Sequence, residues 1–324
     1  MDWLINANGD VESIPDYDCT DSDRKTGYTN IWFGISFLIY GVIAELVYSI
    51  VLSVMMRKQH SRLSCYKIMI ALGVNDMAAL MVNSLLTGYL WIIGANYCYS
   101  PKLIFIAGSM GLGLWCCACM NCLLLAINRF LDVSNKQLKQ TLFGNKRTYL
   151  VLLIPFIYCL YFIFYTPPIL FNSDHMAWFF TTFAPHSNIE NYYNYPHTVN
   201  NLLVVVVTTL IYVVYSKELL RNLQISNGLS WAQKSFFIQS SLICFANLVA
   251  SVIYVYMQFF YAPPSFVLVG HMGWQLGHGF PAFVYLLLNK TIQREVLQML
   301  GIRKRQHAVA PRTRNTSKTP GTEG

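Results

Sequence analysis

Seven stretches of the chain, at about residues 30–56, 66–91, 103–127, 149–165, 200–216, 235–261 and 266–288, carry almost no charge. Each reaches or approaches the ~20 apolar residues that cross a bilayer, the fourth and fifth being the shortest. Water is absent from the bilayer core, so backbone groups there are satisfied only by helices or a closed barrel, and runs of this length are helices. The connections are short, which leaves one packed bundle and no second domain. Composition agrees: 12% of residues are charged and 55% are hydrophobic, where a soluble chain is about 25% charged. The expected fold is an all-α membrane protein, a seven-transmembrane helix bundle over residues 30–288, preceded by an N-terminal segment (1–29).

Basic residues orient the bundle. With the N-terminus outside, only Arg24, Lys25 and Lys102 of the 23 Lys and Arg residues face out, and the others fall on cytosolic connections or the tail. The positive-inside rule therefore places the N-terminus outside. The net charge of +8 is a topology signal, and nucleic acid is not an expected partner. Residues 1–30 are acidic, with no basic start leading into an apolar run, so the first span is expected to direct its own insertion.

After the last run, "TIQREVLQML" sets Ile292, Val296, Met299 and Leu300 at helical spacing among polar residues. Such a pattern predicts a short interfacial C-terminal helix at 289–301, lying against membrane lipid. Residues 302–324 are polar, basic and rich in Thr and Pro, and are expected to be a disordered cytosolic tail.

Nine cysteines are sorted by this topology. Only Cys19 and Cys98 lie on the oxidising side, so they are the candidate disulfide. The run "CCACMNC" at 116–122 sits inside the third span, where successive residues point about 100° apart; it reads as packing, and no metal or other cofactor is expected.

Ionisable residues at depth are costly and call for a reason. Glu45, Asp76 and Arg129 stand out. "LGVND" around Asp76 resembles the L-A-x-x-D of rhodopsin-like receptors, and "NRF" at 128–130 keeps only the arginine of D-R-Y. In "GHGFPAFVYLLLNKTIQREV" (277–296), Pro281, Tyr285 and Asn289 follow the order of N-P-x-x-Y and its trailing Asn, with the proline one residue further from the tyrosine. Proline removes the hydrogen bond to the carbonyl four residues back, that of Gly277, and predicts a kink one turn above the inner end.

At family level, "SCYKIM" (64–69), "GLW" (113–115), "LAINR" (125–129), "YPHTVNN" (195–201) and "WQLGHGFPAFVYLLLNKTI" (274–292) resemble the nematode serpentine chemoreceptors of class T, the Srt family, over about residues 28–300. The resemblance implies a rhodopsin-like seven-helix receptor of chemosensory neurons, with a small-molecule chemical cue and a heterotrimeric G protein as partners and the ciliary membrane as its place. It also implies that Asp76, Arg129, Pro281, Tyr285 and Asn289 serve activation or G-protein coupling. Asp76 is expected to bond His278 in preference to sodium.

The chain departs from the wider receptor pattern. The sixth span lacks C-W-x-P, position 128 is Asn, and 166–199 holds no cysteine. These departures question a standard activation mechanism while leaving the fold expectation intact.

His271, Gln275 and His278 fall at i, i+4 and i+7, one stripe of the seventh span. With Trp115, which lies ~21 Å before Arg129 along the third helix, they are the candidate ligand-binding residues; ordinary packing is the competing reading. No nucleophile, metal cluster or carboxylate pair at fixed spacing suggests an enzyme. The alternative is a ligand-gated ion channel or transporter of the sensory membrane, for which neither a polar lining through several spans nor a repeat is visible.

Overall fold

The computed structural model describes residues 1–302 except 21, 23, 185–187 and 226–230. The tail expected to be disordered lies outside the described residues from 303 onward. The long helices are α1 (Ile31–Met55), α2 (Ser64–Ile93), α3 (Pro101–Ser134), α4 (Arg147–Tyr165), α5 (Tyr195–Ile225), α6 (Trp231–Phe259) and α7 (Pro264–Leu288), followed by the short α8 (Lys290–Met299). Among the described residues, α1 to α6 are long and apolar enough to cross a membrane. Helix α7 is as long as α1 and packs with α1, α2 and α6. Its interior polar residues lower its average apolarity, but they are buried: His271, Gln275 and His278 are at most 5% exposed. The molecule is a multi-pass membrane protein with a seven-transmembrane helix bundle.

Helix α3 is the axis of the bundle. Of its most apolar stretch 78% is buried, against 28–33% for α1, α4, α5 and α6, whose remaining apolar side chains line the bundle's perimeter. Its 34 residues measure about 50 Å, more than the ~30 Å hydrocarbon core. The sequence expectation stopped at 127, and likewise at 216 for α5. Hydropathy registers only the apolar part of a helix, and polar turns continue both beyond it.

Among the described residues, two large apolar cores stack along the bundle, beside a small third cluster of Ala79, Leu114, Cys117, Cys159 and Ile163. One, around Trp91, Phe105 and Trp178, lies toward the end that carries the N-terminal segment, the N-terminal face. The other, around Tyr48, Tyr285 and Ile292, lies toward the α8 face. Helix α2 takes a π-helical turn over Met81–Leu86. Such a turn strands a carbonyl, and Thr87 Oγ1 donates to Val82 O at 2.8 Å in compensation.

The N-terminal segment packs into the mouth of the bundle. Val11, Ile14 and Tyr17 are buried, and the Tyr17 ring meets Tyr97, Phe105 and Tyr192 edge-on. Burial foremost, then Tyr192 and Asp16, pushes the Tyr17 phenol up in pKa, so the plug carries no charge there. Cys19 and Cys98 are joined by a disulfide. Beside this plug, the α4–α5 connection folds into an antiparallel hairpin, β1 (Leu170–Asn172) and β2 (Ala177–Phe179), pairing Phe171 with Trp178. The sequence reading holds no strand; three-residue strands leave no alternation to detect.

At the opposite face Asn289 ends α7 and caps α8, its Oδ1 accepting from Thr291 N and Ile292 N at 3.2 and 3.3 Å. Glu295, 5% exposed, accepts from Arg57 Nη1 (2.8 Å) and Gln59 Nε2 (2.5 Å), with His60 Nε2 at 2.7 Å. This fastens α8 to the α1–α2 connection. Of the four apolar residues spaced for a membrane contact, Ile292 and Val296 are buried in protein, and Met299 and Leu300 are exposed.

Candidate functional site

Asp76 of α2 and His278 of α7 meet at the centre of the bundle, Oδ1 to Nδ1 at 2.8 Å, both at most 1% exposed. The Tyr48 hydroxyl of α1 stands 2.7 Å from Asp76 Oδ2 and 2.8 Å from the His278 carbonyl oxygen. A phenol has one proton to donate, and the carbonyl has none. All three contacts are satisfied together only when Asp76 carries a proton on Oδ2, donates it to Tyr48, and Tyr48 donates to the His278 carbonyl. His278 then donates Nδ1–H to Asp76 Oδ1. A neutral pair suits a site where an isolated charge costs several kcal/mol.

This network sits one turn above Pro281, which lies inside the continuous helix α7. The carbonyl freed by the proline is that of Gly277, and Tyr48 holds the next one. Gly279 is required by close approach: a Cβ there would stand 2.2 Å from the Tyr40 hydroxyl. Below Pro281, Tyr285 is buried with its hydroxyl unpaired. Arg129 is 7% exposed, with Nη2 3.7 Å from Met69 Sδ, and neighbouring Asn128 donates to Ser64 Oγ at 3.0 Å.

The candidate ligand residues separate into two groups. His271 stacks on Phe37 at 5.2 Å and meets Trp91 and Trp274 edge-on; the Asn83 backbone stands near its ring, outside hydrogen-bonding geometry. Gln275 Nε2 donates to Ser84 Oγ at 2.7 Å. The stripe His271, Gln275, His278 therefore faces α1 and α2. A separate cavity of about 20 Å³, lined by Leu112, Trp115, Ile169, His197, Tyr254 and Trp274, lies among α3, α5, α6 and α7. That volume holds about one water molecule. Of the four candidates only Trp115 lines it, and Trp274 is the α7 residue that does. Trp115 also touches His278, ring centroids 5.9 Å apart.

His197, Asn200 and Asn201 were not singled out as site residues, although i, i+3, i+4 spacing within "YPHTVNN" was their signal. They form a chain of hydrogen bonds behind the cavity. Asn201 Oδ1 accepts from Trp115 Nε1 and from Asn200 Nδ2, both at 3.0 Å, and Tyr158 donates to Asn200 Oδ1 at 3.2 Å. An indole nitrogen only donates, which fixes the Asn201 amide with Nδ2 toward His197 Nε2, 3.1 Å away. His197 Nε2 therefore accepts, and the neutral ring carries its proton on Nδ1.

A profile of the serpentine type seven-transmembrane G-protein-coupled chemoreceptors of class Srt matches residues 5–309. A Caenorhabditis elegans protein described as serpentine receptor class T-55 is 29% identical over 311 residues, covering 91% of this chain and 84% of the relative. With the family matched across nearly the whole bundle, the chain belongs to the Srt family of seven-transmembrane chemoreceptors.

Proposed function

We propose that this protein is a chemosensory receptor of the plasma membrane, its N-terminal face outside, that binds a small-molecule environmental cue and activates a heterotrimeric G protein through its α8 face. The ciliary membrane of a sensory neuron is the place that suits such a receptor. The observation that carries the reading is the contact of Trp115 with His278. One side chain lines the cavity, and the other belongs to the polar network directly above Pro281.

The resting cavity has room for about one water, so any larger cue binds by favouring an arrangement in which α3, α5, α6 and α7 stand further apart. A ligand shifts an equilibrium only by its preference for one state, and here size alone supplies that preference. Displacing Trp115 or Trp274 moves His278, and with it the segment of α7 that holds Tyr285. The departures from the D-R-Y and C-W-x-P patterns leave this α7 route as the coupling device.

The test is a screen of volatile and soluble cues in cells carrying the receptor, read by calcium or cyclic-nucleotide reporters and in parallel by whole-cell current. A reporter response abolished by sequestering the G protein supports the reading. A cue-evoked current that persists without any G protein favours a channel instead.

A further inference from the structure

The cavity is unusually one-sided in its hydrogen bonding. Three of its lining residues carry a buried polar atom without a protein partner: Trp274 Nε1, Tyr254 Oη and His197 Nδ1. Indole Nε1–H only donates. His197 Nδ1 carries the ring proton, because its Nε2 accepts from Asn201. The Tyr254 phenol has a proton to give. Gln258, whose Oε1 already accepts from Thr198 at 3.0 Å, stands near His197 but outside hydrogen-bonding geometry. The remaining lining is apolar (Leu112, Ile169) or has its polar atom engaged, as Trp115 donates to Asn201. Among the described residues, no carboxylate, lysine or arginine lines the cavity.

Three donors left unpaired in an apolar setting each cost about 1–3 kcal/mol, and an acceptor placed among them recovers that cost. A cation would add a fourth donor with no acid to neutralise it. An anion would need desolvation in the middle of a membrane bundle with no cation beside it. An alcohol would have to give its own proton to the Tyr254 oxygen, the free acceptor among these atoms, which turns the Tyr254 proton away from the ligand and removes one of the three donors from its oxygen. A carbonyl oxygen offers two lone pairs and no proton.

We infer that the cue this receptor binds is a small neutral carbonyl compound, such as a short-chain ketone, ester or lactone, its oxygen held by His197, Tyr254 and Trp274 and its carbon chain against Leu112, Ile169 and Trp115. The inference rests on the cavity being the cue site, as proposed above. Trp274 joins this grip to α7, four residues before His278, so the same contact that selects the carbonyl acts on the helix that carries Pro281.

The test uses full-length receptor in reporter cells and a matched panel: methyl ketones of increasing chain length with ethyl esters and lactones, the secondary alcohols made by reducing each ketone, the corresponding primary amines, and the carboxylic acids. The expected result is activation by one or more carbonyl compounds, with the reduced alcohol at least about tenfold less potent, since tenfold corresponds to about one lost hydrogen bond. Tyr254→Phe and Trp274→Phe should each lower carbonyl potency about three- to tenfold at unchanged surface expression. Leu112→Phe, which fills the cavity, should abolish the response; Leu112→Met serves if that variant does not reach the surface.

Activation by amines, acids or alcohols at equal or better potency, lost in the Leu112 variants, overturns the carbonyl inference and leaves the cavity as the cue site. A carbonyl response untouched by the Leu112, Tyr254 and Trp274 variants overturns both. No response to any carbonyl compound overturns the inference.

Discussion

Asp76 Oδ1 lies 2.8 Å from His278 Nδ1, and the hydroxyl of Tyr48 closes the triangle by contacting both Asp76 and the His278 backbone. Hydrogen-bond counting makes this a neutral assembly. Asn in place of Asp76 reproduces it: its Nδ2 donates to Tyr48, and its Oδ1 accepts from His278. Asp76→Asn is therefore expected to keep stability within about 0.5 kcal/mol. Asp76→Ala leaves His278 and Tyr48 with unpaired buried groups and should cost about 1–3 kcal/mol. Thermal unfolding of detergent-solubilised receptor compares the two; equal losses would mean that the carboxylate is ionised.

Gly108 of α3 faces the backbone of Ile169, which roofs the cavity. A Cβ at Gly108 would lie 1.6 Å from the Ile169 carbonyl oxygen. Backbone cannot swing aside as a side-chain tip can, so Gly108→Ala should lift the hairpin and cost about 1–3 kcal/mol. Gly273→Ala is the control, because a Cβ there meets nothing closer than Ala250 at 3.8 Å. Surface expression and melting temperature should fall for the first and hold for the second.

Pro281 and Tyr285 act below the cavity. The Tyr285 hydroxyl makes no hydrogen bond in this conformation, so Tyr285→Phe should leave resting stability unchanged to within about 0.5 kcal/mol. Pro281→Ala restores one backbone hydrogen bond and straightens α7. Both are expected to lower the maximal reporter response while leaving cue potency nearly unchanged. A normal maximum in Pro281→Ala would reduce the kink to a packing feature.

The disulfide joins the N-terminal plug to the turn just before α3. In Cys19→Ser the plug keeps its apolar contacts through Val11, Ile14 and Tyr17 but loses its covalent tether. Limited proteolysis of intact cells should then cleave the N-terminal segment several-fold faster, with the bundle still expressed at the surface. Equal cleavage rates would show that packing alone holds the plug.

Residues of α7 show how far one sequence reaches. Helical spacing put His271, Gln275 and His278 on one stripe, and they do share one; the pairing of Asp76 with His278 came from the resemblance to rhodopsin-like receptors, and the two side chains do meet. The stripe's direction was not legible. A 100° step between neighbours orders residues around a helix without fixing the helix's rotation about its axis. Contacts fix that rotation: Tyr40 against Gly279 and Ser84 on Gln275 turn the stripe toward α1 and α2, and Trp274 is left on the cavity side. His197 was hidden for a related reason. Its chemistry depends on Asn201, and the Asn201 amide is oriented by Trp115 of another helix.

The sequence by itself determined the seven spans and the place of the proline inside α7, because apolar length and proline act locally. It also pointed to the family, through short stretches whose order and spacing need no contacts to be recognised. The tertiary structure alone decided which side chains enclose the cavity, which hydrogen-bond donors are left over there, and that Asp76 belongs to a neutral network. Each of these is a count of partners, and partners come from helices that are distant along the chain and adjacent only once the bundle has packed.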